Sequence, residues 1–361
     1  SDSCWSNQFD CNNDCNGSAV IDECGVCDGD NSSCTGCTDP YASNYSEGNT
    51  IHDGSCQYSV RDSDNSLSFD GSNDLIEIID ADILDLNLTD FTIEAWVKSN
   101  DTELNKAILC KMGNSSITRN GYILEVSDSD KFKGSFRKDN TDAWDQATIS
   151  VTSETLNLPN WYHISMIINR DIGAKMYVNG DLIDSTEDDK TNGHSINTDN
   201  PLHIGYFNYG GGRWFDGLIS EVRIWNDERS QTEIQENLFQ LTNTDNLVGH
   251  WKFNSISNDG DIAYDLSGNA NHGIIDGAVS SSELPIPGCT EIDACNYSPD
   301  ANYNDGSCWY PEINFTCDGT FKPETKSDLQ TAVNLWVSNN SSALSNYGEI
   351  NSWDVSLITD M

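Results

Sequence analysis

The 23 residues Gly36–Tyr58 return without a gap as Gly288–Tyr310. Both copies keep Gly-Cys-Thr at the start, Asn-Tyr-Ser in the middle and Asp-Gly-Ser-Cys-x-Tyr at the end. In both, the first and last cysteines stand nineteen positions apart: Cys37 and Cys56, then Cys289 and Cys308. A segment so short cannot bury a core, so cross-links must hold it. An exact-length internal repeat marks a module. Two small cysteine modules therefore bracket one long middle stretch, a layout suited to a secreted or surface chain.

The other cysteines agree. Of the thirteen, eight precede residue 57, four lie between 289 and 317, and only Cys110 sits in the middle. Residues 1–35 are largely Cys, Asn, Asp, Gly and Ser, without periodicity, and must be loops pinned by Cys4, Cys11, Cys15, Cys24, Cys27 and Cys34. Six cysteines allow fifteen pairings. The pairs Cys24/Cys27 and Cys34/Cys37 also form a CxxC…CxxC run, but zinc sites place a longer loop between the halves. Disulfides in an oxidising compartment are the expectation, with Cys110 a small hydrophobe in a strand.

Lys and Arg number 18 against 59 Asp and Glu, a net charge of −41. Such a chain repels nucleic acid and anionic membranes. No apolar run approaches the ~20 residues that cross a bilayer. Residues 1–5 show neither the basic start nor the apolar core of a signal peptide, so the sequence reads as a mature or trimmed fragment. The acidity serves solubility, and part of it could hold Ca²⁺, which takes carboxylate and carbonyl oxygens. Asn-x-Ser/Thr sites, among them Asn16, Asn31, Asn44, Asn87, Asn114, Asn296, Asn314, Asn339 and Asn340, are candidate glycosylation acceptors.

From Leu67 to Val279 apolar and polar residues alternate between turns rich in Gly, Asn and Asp. Phe91–Val97, Gly121–Val126, Lys131–Phe136 and Trp161–Ile168 read as strands. Asn179-Gly180 reads as the turn of a hairpin over Met176–Ile183. About a dozen strands predict an all-β, antiparallel two-sheet jelly-roll sandwich. Ser230 and Glu233 form a capping box that opens one short helix. A second, amphipathic helix is predicted from Thr325 to Trp336, with Leu329, Val333 and Trp336 on one face.

The segments LSFDGSNDLIEI, FTIEAWVKS, WYHISMIINR, AKMYVNGDLI, FDGLISEVRIW and LVGHWKFN…AYDLSGNANHG, in that order, resemble the laminin-G-like domain of the concanavalin A-like lectin superfamily over residues 61–283. The family commonly has Asp where Glu221 stands. The 23-residue repeats resemble the GCTDPxAxNYNPxATxDDGSCxY motif of secreted and surface proteins. That resemblance implies the pairs Cys37–Cys56, Cys289–Cys308 and Cys295–Cys317. The short Asp/Asn/Gly runs at residues 10–14 and 28–31 are similar to calcium-binding thrombospondin-type repeats, though no complete calcium loop is present. Residues 350–361 resemble the start of BspA-like surface leucine-rich repeats. The expected organisation is thus a cysteine-rich module at 1–35, the first repeat at 36–60, the sandwich at 61–283, the second repeat at 284–319, and a helix leading to a repeat region at 320–361.

Catalytic patterns are missing from the sequence. The superfamily's hydrolases carry E-x-D-x-x-E on one strand, and no such run occurs; nor does HExxH, GxSxG or a phosphate loop. Two other groups stand out. The turns bearing Asp70, Asn73 and Asp74 and bearing Asp265, Ser267, Asn269 and Asn271 are rich in oxygen and lie at the two ends of the domain, where they could share one structural Ca²⁺. Tight turns also favour these residues for their own hydrogen bonds. The loop Tyr206–Phe215 carries three glycines with Tyr209, Arg213 and Trp214; Phe207 and Phe215 should point inward, leaving Tyr209 and Trp214 exposed for a sugar or protein surface.

These readings converge on a non-enzymatic extracellular or cell-surface adhesive protein that binds a glycan or an extracellular protein, with calcium in support. Two alternatives stand beside it: a subunit of an appendage or filament in which neighbouring copies contact one another, and a non-catalytic part of a secreted polysaccharide-degrading protein.

Overall fold

The computed structural model describes residues 8–58, 66–100, 105–113, 119–127, 130–138, 148–188, 191–210, 212–257 and 259–359. Cys4 and Asn114 lie outside the described residues. The chain forms two compact units, residues 1–284 and 285–361.

In the first unit the cysteines pair as Cys11–Cys27, Cys24–Cys34 and Cys37–Cys56. Cys15 is disulfide-bonded as well. Cys24 and Cys27 go to different partners, which removes the zinc alternative. The repeat closes through a two-residue parallel pair, β1 (Thr35–Gly36) on β2 (Ile51–His52).

The sandwich follows. Its first strands are β3 (Ser66–Asp70), β4 (Leu75–Ile78), β5 (Phe91–Ser99), β6 (Lys106–Met112), β7 (Gly121–Ser127), β8 (Lys131–Arg137) and β9 (Thr148–Thr152). Next come β10 (Trp161–Asn169), β11 (Gly173–Val178), β12 (Asp181–Glu187), β13 (Leu202–Ile204), β14 (Tyr206–Phe207) and β15 (Arg213–Trp214). The last are β16 (Asp216–Trp225), β17 (Leu247–Ile256), β18 (Ile262–Asp265), β19 (Gly273–Asp276) and β20 (Val279–Ser281). The antiparallel order β12-β11-β10-β5-β16-β17 makes one layer; β18 and β19 turn the corner into β4-β13-β6-β7-β8-β9. The last strand lies against β11 and β12, so the sandwich is nearly closed.

Period-two alternation builds the core: Phe91, Ile93, Ala95 and Val97 of β5 face Tyr122, Leu124, Phe132 and Phe136 of the other sheet. At Asn179-Gly180 both residues have positive φ (54° and 83°), as the β11–β12 turn requires.

The sheets' outer faces are buried too, which alternation alone does not forecast. Trp96, on the other face of β5, donates Nε1–H to Leu238 O at 2.8 Å beneath Phe239. The predicted helix α1 (Gln231–Glu236), with its capping box in place, seats Ile234 on Ile167 and Tyr177. A buried ring of this size removes roughly 150–250 Å² from water, about 4–6 kcal/mol at ~25 cal/mol per Å².

The second unit repeats the first module's plan. β21 (Pro287–Gly288) pairs in parallel with β22 (Tyr303–Asn304), and Cys289–Cys308 and Cys295–Cys317 close it, as the resemblance implied. Helix α2 (Lys326–Ser338), capped by Thr325, packs against α3 (Asn340–Tyr347). Leu329, Val333 and Trp336 meet Phe321 and Trp353 in a small cluster. Trp353, expected at the start of a leucine-rich repeat, is thus part of this local core, and no strand follows β22 among the described residues.

Candidate functional site

The loop at Tyr206–Phe215 is a hairpin, and its register decides its chemistry. Tyr206 lies opposite Trp214, and Phe207 opposite Arg213. Facing pairs on successive rungs point to opposite sides. On one side Tyr206 and Trp214 stack at 4.0 Å between ring centroids, with His203 edge-on to Tyr206 at 5.3 Å. On the other, Phe207 is buried against Ala107, Cys110, Met112 and Ile123, and Tyr209 packs on the same cluster. Phe215 enters the main core. Phe207 and Phe215 therefore point inward as expected, but Tyr209 and Trp214 are not an exposed pair: both are half-buried, on opposite faces.

Tyr209 and Arg213 line a cavity of about 160 Å³ together with Asn105, Arg119, Glu125 and Lys133. The Arg213 guanidinium lies 2.9 Å from Glu125 Oε2 and 5.3 Å from the Tyr209 ring centre. Arg119 sits 4.0 Å over that ring and donates to its hydroxyl. Burial pushes the Glu125 carboxyl up, against the pull of Arg213 and Lys133. Among the described residues three cations and one carboxylate converge here, in a chain with 18 cations and 59 acids. Arg119, Glu125 and Lys133 escaped the sequence reading. Glu125 and Lys133 are cross-strand partners on the face of β7–β8 away from the core, a signal readable only once those strands are known to pair.

The two oxygen-rich turns are kept apart. Asp74 leads into Leu75, the partner of Asp276, whereas the Asp265–Asn271 turn precedes Gly273 at the opposite end of β19. The span is about 10 Å at ~3.3 Å per residue, so they do not share an ion. Asp265 is already saturated: Oδ1 accepts from the His250 and Ser267 amides, Oδ2 from the Asn271 amide and Ser267 Oγ. Asn269 and Asn271 turn their Nδ2 groups toward Val248 O. Asp70 accepts from the Ser72 amide, and Asp74 from the Asp70 amide. Among the described residues no three His, Cys, Asp or Glu side chains converge as metal ligands.

An oxygen cage does occur elsewhere, and the chain fills it with its own cation. Lys111 is fully buried, its Nζ 2.5 Å from Asp80, 2.9 Å from Asp85, and 2.9 and 3.0 Å from the carbonyls of Thr198 and Asn200. A second network surrounds Arg223, which lies 3.5 Å from Glu94 and 3.0 Å from Glu221. Glu94 is 1% exposed, so solvent cannot reach it. Burial holds His163 neutral, its pKa lowered to about 3. Glu221 stands at a bulge with φ of 50°, a conformation that Asp and Asn enter more readily than Glu. Burial opposes its ionisation, yet His250, Arg223 and Lys252 hold its carboxyl down to about 2.

The first repeat packs on the sandwich. Tyr58 stacks on Tyr264 at 4.6 Å, Tyr41 meets His272 edge-on, and Asp39 Oδ2 accepts from Tyr58 and from His272, each at 2.6 Å. An open cleft of about 410 Å³ runs beside this contact, between His52–Tyr58 and Leu247 with Asp265–Asn269.

Most of the possible glycosylation sites are structural in part. Asn44 and Asn296 close their modules through both ends of the amide, Asn339 caps α3, and Asn31 and Asn314 accept backbone hydrogen bonds. Asn16, Asn87 and Asn340 are exposed.

Residues 70–235 match the family model described as the concanavalin A-like lectin/glucanases superfamily. The chain carries a concanavalin A-like, laminin-G-like domain flanked by disulfide-linked cysteine pairs. No curated protein matches it. Similar solved structures include a Bacteroides ovatus protein named for carbohydrate binding (19% identity, TM-score 0.44, 63% of this chain). This chain spans 61% of that protein's length. Others are a heptameric pentraxin from Limulus polyphemus (14% identity, TM-score 0.41, 62% of this chain and 97% of the pentraxin) and a Ruminococcus gnavus sialidase carbohydrate-binding module bound to sialyllactose (11% identity, TM-score 0.38, 47% of this chain and 95% of the module).

Proposed function

We propose that the chain is a non-catalytic extracellular recognition protein whose sandwich binds an acidic glycan in the cavity between the β14–β15 hairpin and the outer face of β6–β8. The observation that carries this reading is the gathering of Arg119, Lys133 and Arg213 around the Tyr209 ring, with Glu125 the one carboxylate opposing them among the described residues. An aromatic face suits the apolar side of a sugar ring, and guanidinium groups suit a carboxylate or sulfate on it. Titration calorimetry with uronic-acid or sulfated oligosaccharides, against neutral ones of equal length, tests it. Binding restricted to the acidic set, weakened by salt and lost in Arg213→Ala with Lys133→Ala, is expected. Equal affinity for neutral sugars, or hydrolysis of any polysaccharide, would overturn it.

Calcium support is the lesser part of this proposal and rests on the first turn. Burial and the nearby Asp70 and Asp276 carboxylates push the Asp74 carboxyl up, and a divalent cation would relieve that repulsion. Millimolar Ca²⁺ should then raise the melting temperature of the wild type and not of Asp74→Asn. Residues 350–361, by their sequence resemblance, lead into a leucine-rich-repeat region in the same proposal.

A further inference from the structure

The two repeats share one internal wiring. Asn44 donates to Ser55 O at 2.7 Å and accepts from the Gln57 amide; Asn296 donates to Ser307 O at 2.7 Å and accepts from the Trp309 amide. Tyr58 donates to Asp39, and Tyr310 donates to Glu291. The parallel pairs β1–β2 and β21–β22 fall at matching positions. What differs is what covers the acid–phenol face. In the first repeat His272 and Tyr264 of the sandwich lie on it, and Asp39 is only 3% exposed. In the second, Glu291 is exposed and Tyr310 is 50% exposed. Moreover, Pro40 and Gln57, which stay exposed beside the first repeat's contact, have become Ile292 and Trp309, and both are open to solvent, at 78% and 49%. Exposed apolar side chains next in sequence to that acid–phenol pair, in so acidic a chain, point to an interaction surface.

We infer that the Glu291–Tyr310 pair, with Ile292 and Trp309 beside it, is a docking surface for the corner of another β-sandwich, one presenting an imidazole N–H and a phenol ring as His272 and Tyr264 do. The carboxylate accepts the imidazole N–H, Tyr310 stacks on the phenol, and Ile292 and Trp309 widen the apolar contact. The second repeat thus joins sandwiches where the first seats within one. This surface is independent of the glycan cavity.

Two experiments on the full chain test it. In the first, the first repeat receives the second's contact residues (Asp39→Glu, Pro40→Ile, Tyr41→Asp, Gln57→Trp), and hydrogen exchange is followed over residues 264–272. The reference is Asp39→Ala with Tyr58→Ala, which opens the contact and should exchange at least about tenfold faster than wild type, having lost the His272–Asp39 hydrogen bond and the Tyr58–Tyr264 stack. Near-wild-type protection in the grafted chain, with the Cys37–Cys56 bridge confirmed by mass, supports the inference; exchange as fast as the opened variant overturns it. In the second, the opened variant frees a His272–Tyr264 corner and should self-associate in sedimentation velocity at high micromolar concentration. Adding Glu291→Ala and Tyr310→Ala should return it to monomer. An opened variant that stays monomeric, or an association indifferent to those two changes, overturns the inference.

Discussion

The Nε2 of His272 lies 2.6 Å from Oδ2 of Asp39, while its Nδ1 accepts the Asp265 amide at 2.9 Å. The amide can only donate, so Nδ1 carries the lone pair and the ring proton sits on Nε2, aimed at Asp39. One imidazole thereby joins the saturated Asp265 turn to the first cysteine module.

Asp39→Asn should cost about 1.5–3 kcal/mol, the range for hydrogen bonds to a charged group. Burial opposes ionisation of Asp39, but Tyr58, the Tyr41 amide and His272 outweigh it and hold the carboxyl below its ordinary 3.8. A depressed carboxyl stabilises fully above its unfolded value and loses that contribution as pH falls through the folded one. The gap between wild-type and variant melting temperatures should therefore be flat above pH ~4 and narrow below it.

Lys111→Met should destabilise the sandwich by about 3–5 kcal/mol in urea denaturation, because Asp85 is left buried without its cation. Adding Asp85→Leu should recover part of the loss. A single variant within about 0.5 kcal/mol of wild type would show that the cage carries no stability.

Glu221→Gln should lower stability at neutral pH and cease to differ from wild type in strong acid. The native carboxyl titrates near 2 against an ordinary 4.5, so its contribution is complete above 4.5 and disappears as pH approaches 2. Urea midpoints measured from pH 7 downward check the convergence.

Trp214→Ala and Arg213→Ala should separate. Trp214 stacks on Tyr206 outside the cavity, so its removal should cost about 0.5–1.5 kcal/mol for the lost ring pair plus some burial, with acidic-glycan affinity retained. Arg213→Ala should abolish that affinity. Loss of binding in Trp214→Ala at unchanged stability would place the ligand on the other face of the hairpin.

Intact mass without reductant should show twelve cysteines in six bridges and one thiol. That thiol is Cys110, buried and pushed well up by burial, and it should react with alkylating reagents only after denaturation.

Much of this protein is written in short stretches of sequence. The repeat and its cysteine spacing, the Asn179-Gly180 turn, the Ser230 capping box and the alternation of β5, β7 and β10 all act within a few residues, through bond geometry, turn φ values and the two-residue period of a strand. The sequence by itself therefore determined the modules, the strands and the antiparallel sandwich. Which residues meet was decided by tertiary structure. Glu125 joins Arg213 and Lys133 because β7 pairs with β8 and the hairpin folds over their outer face. Tyr209 and Trp214 part because of the hairpin's register, and the two acidic turns part because they flank opposite ends of β19. Register between strands far apart in the chain is set by the packing of the whole core, and no local pattern encodes it.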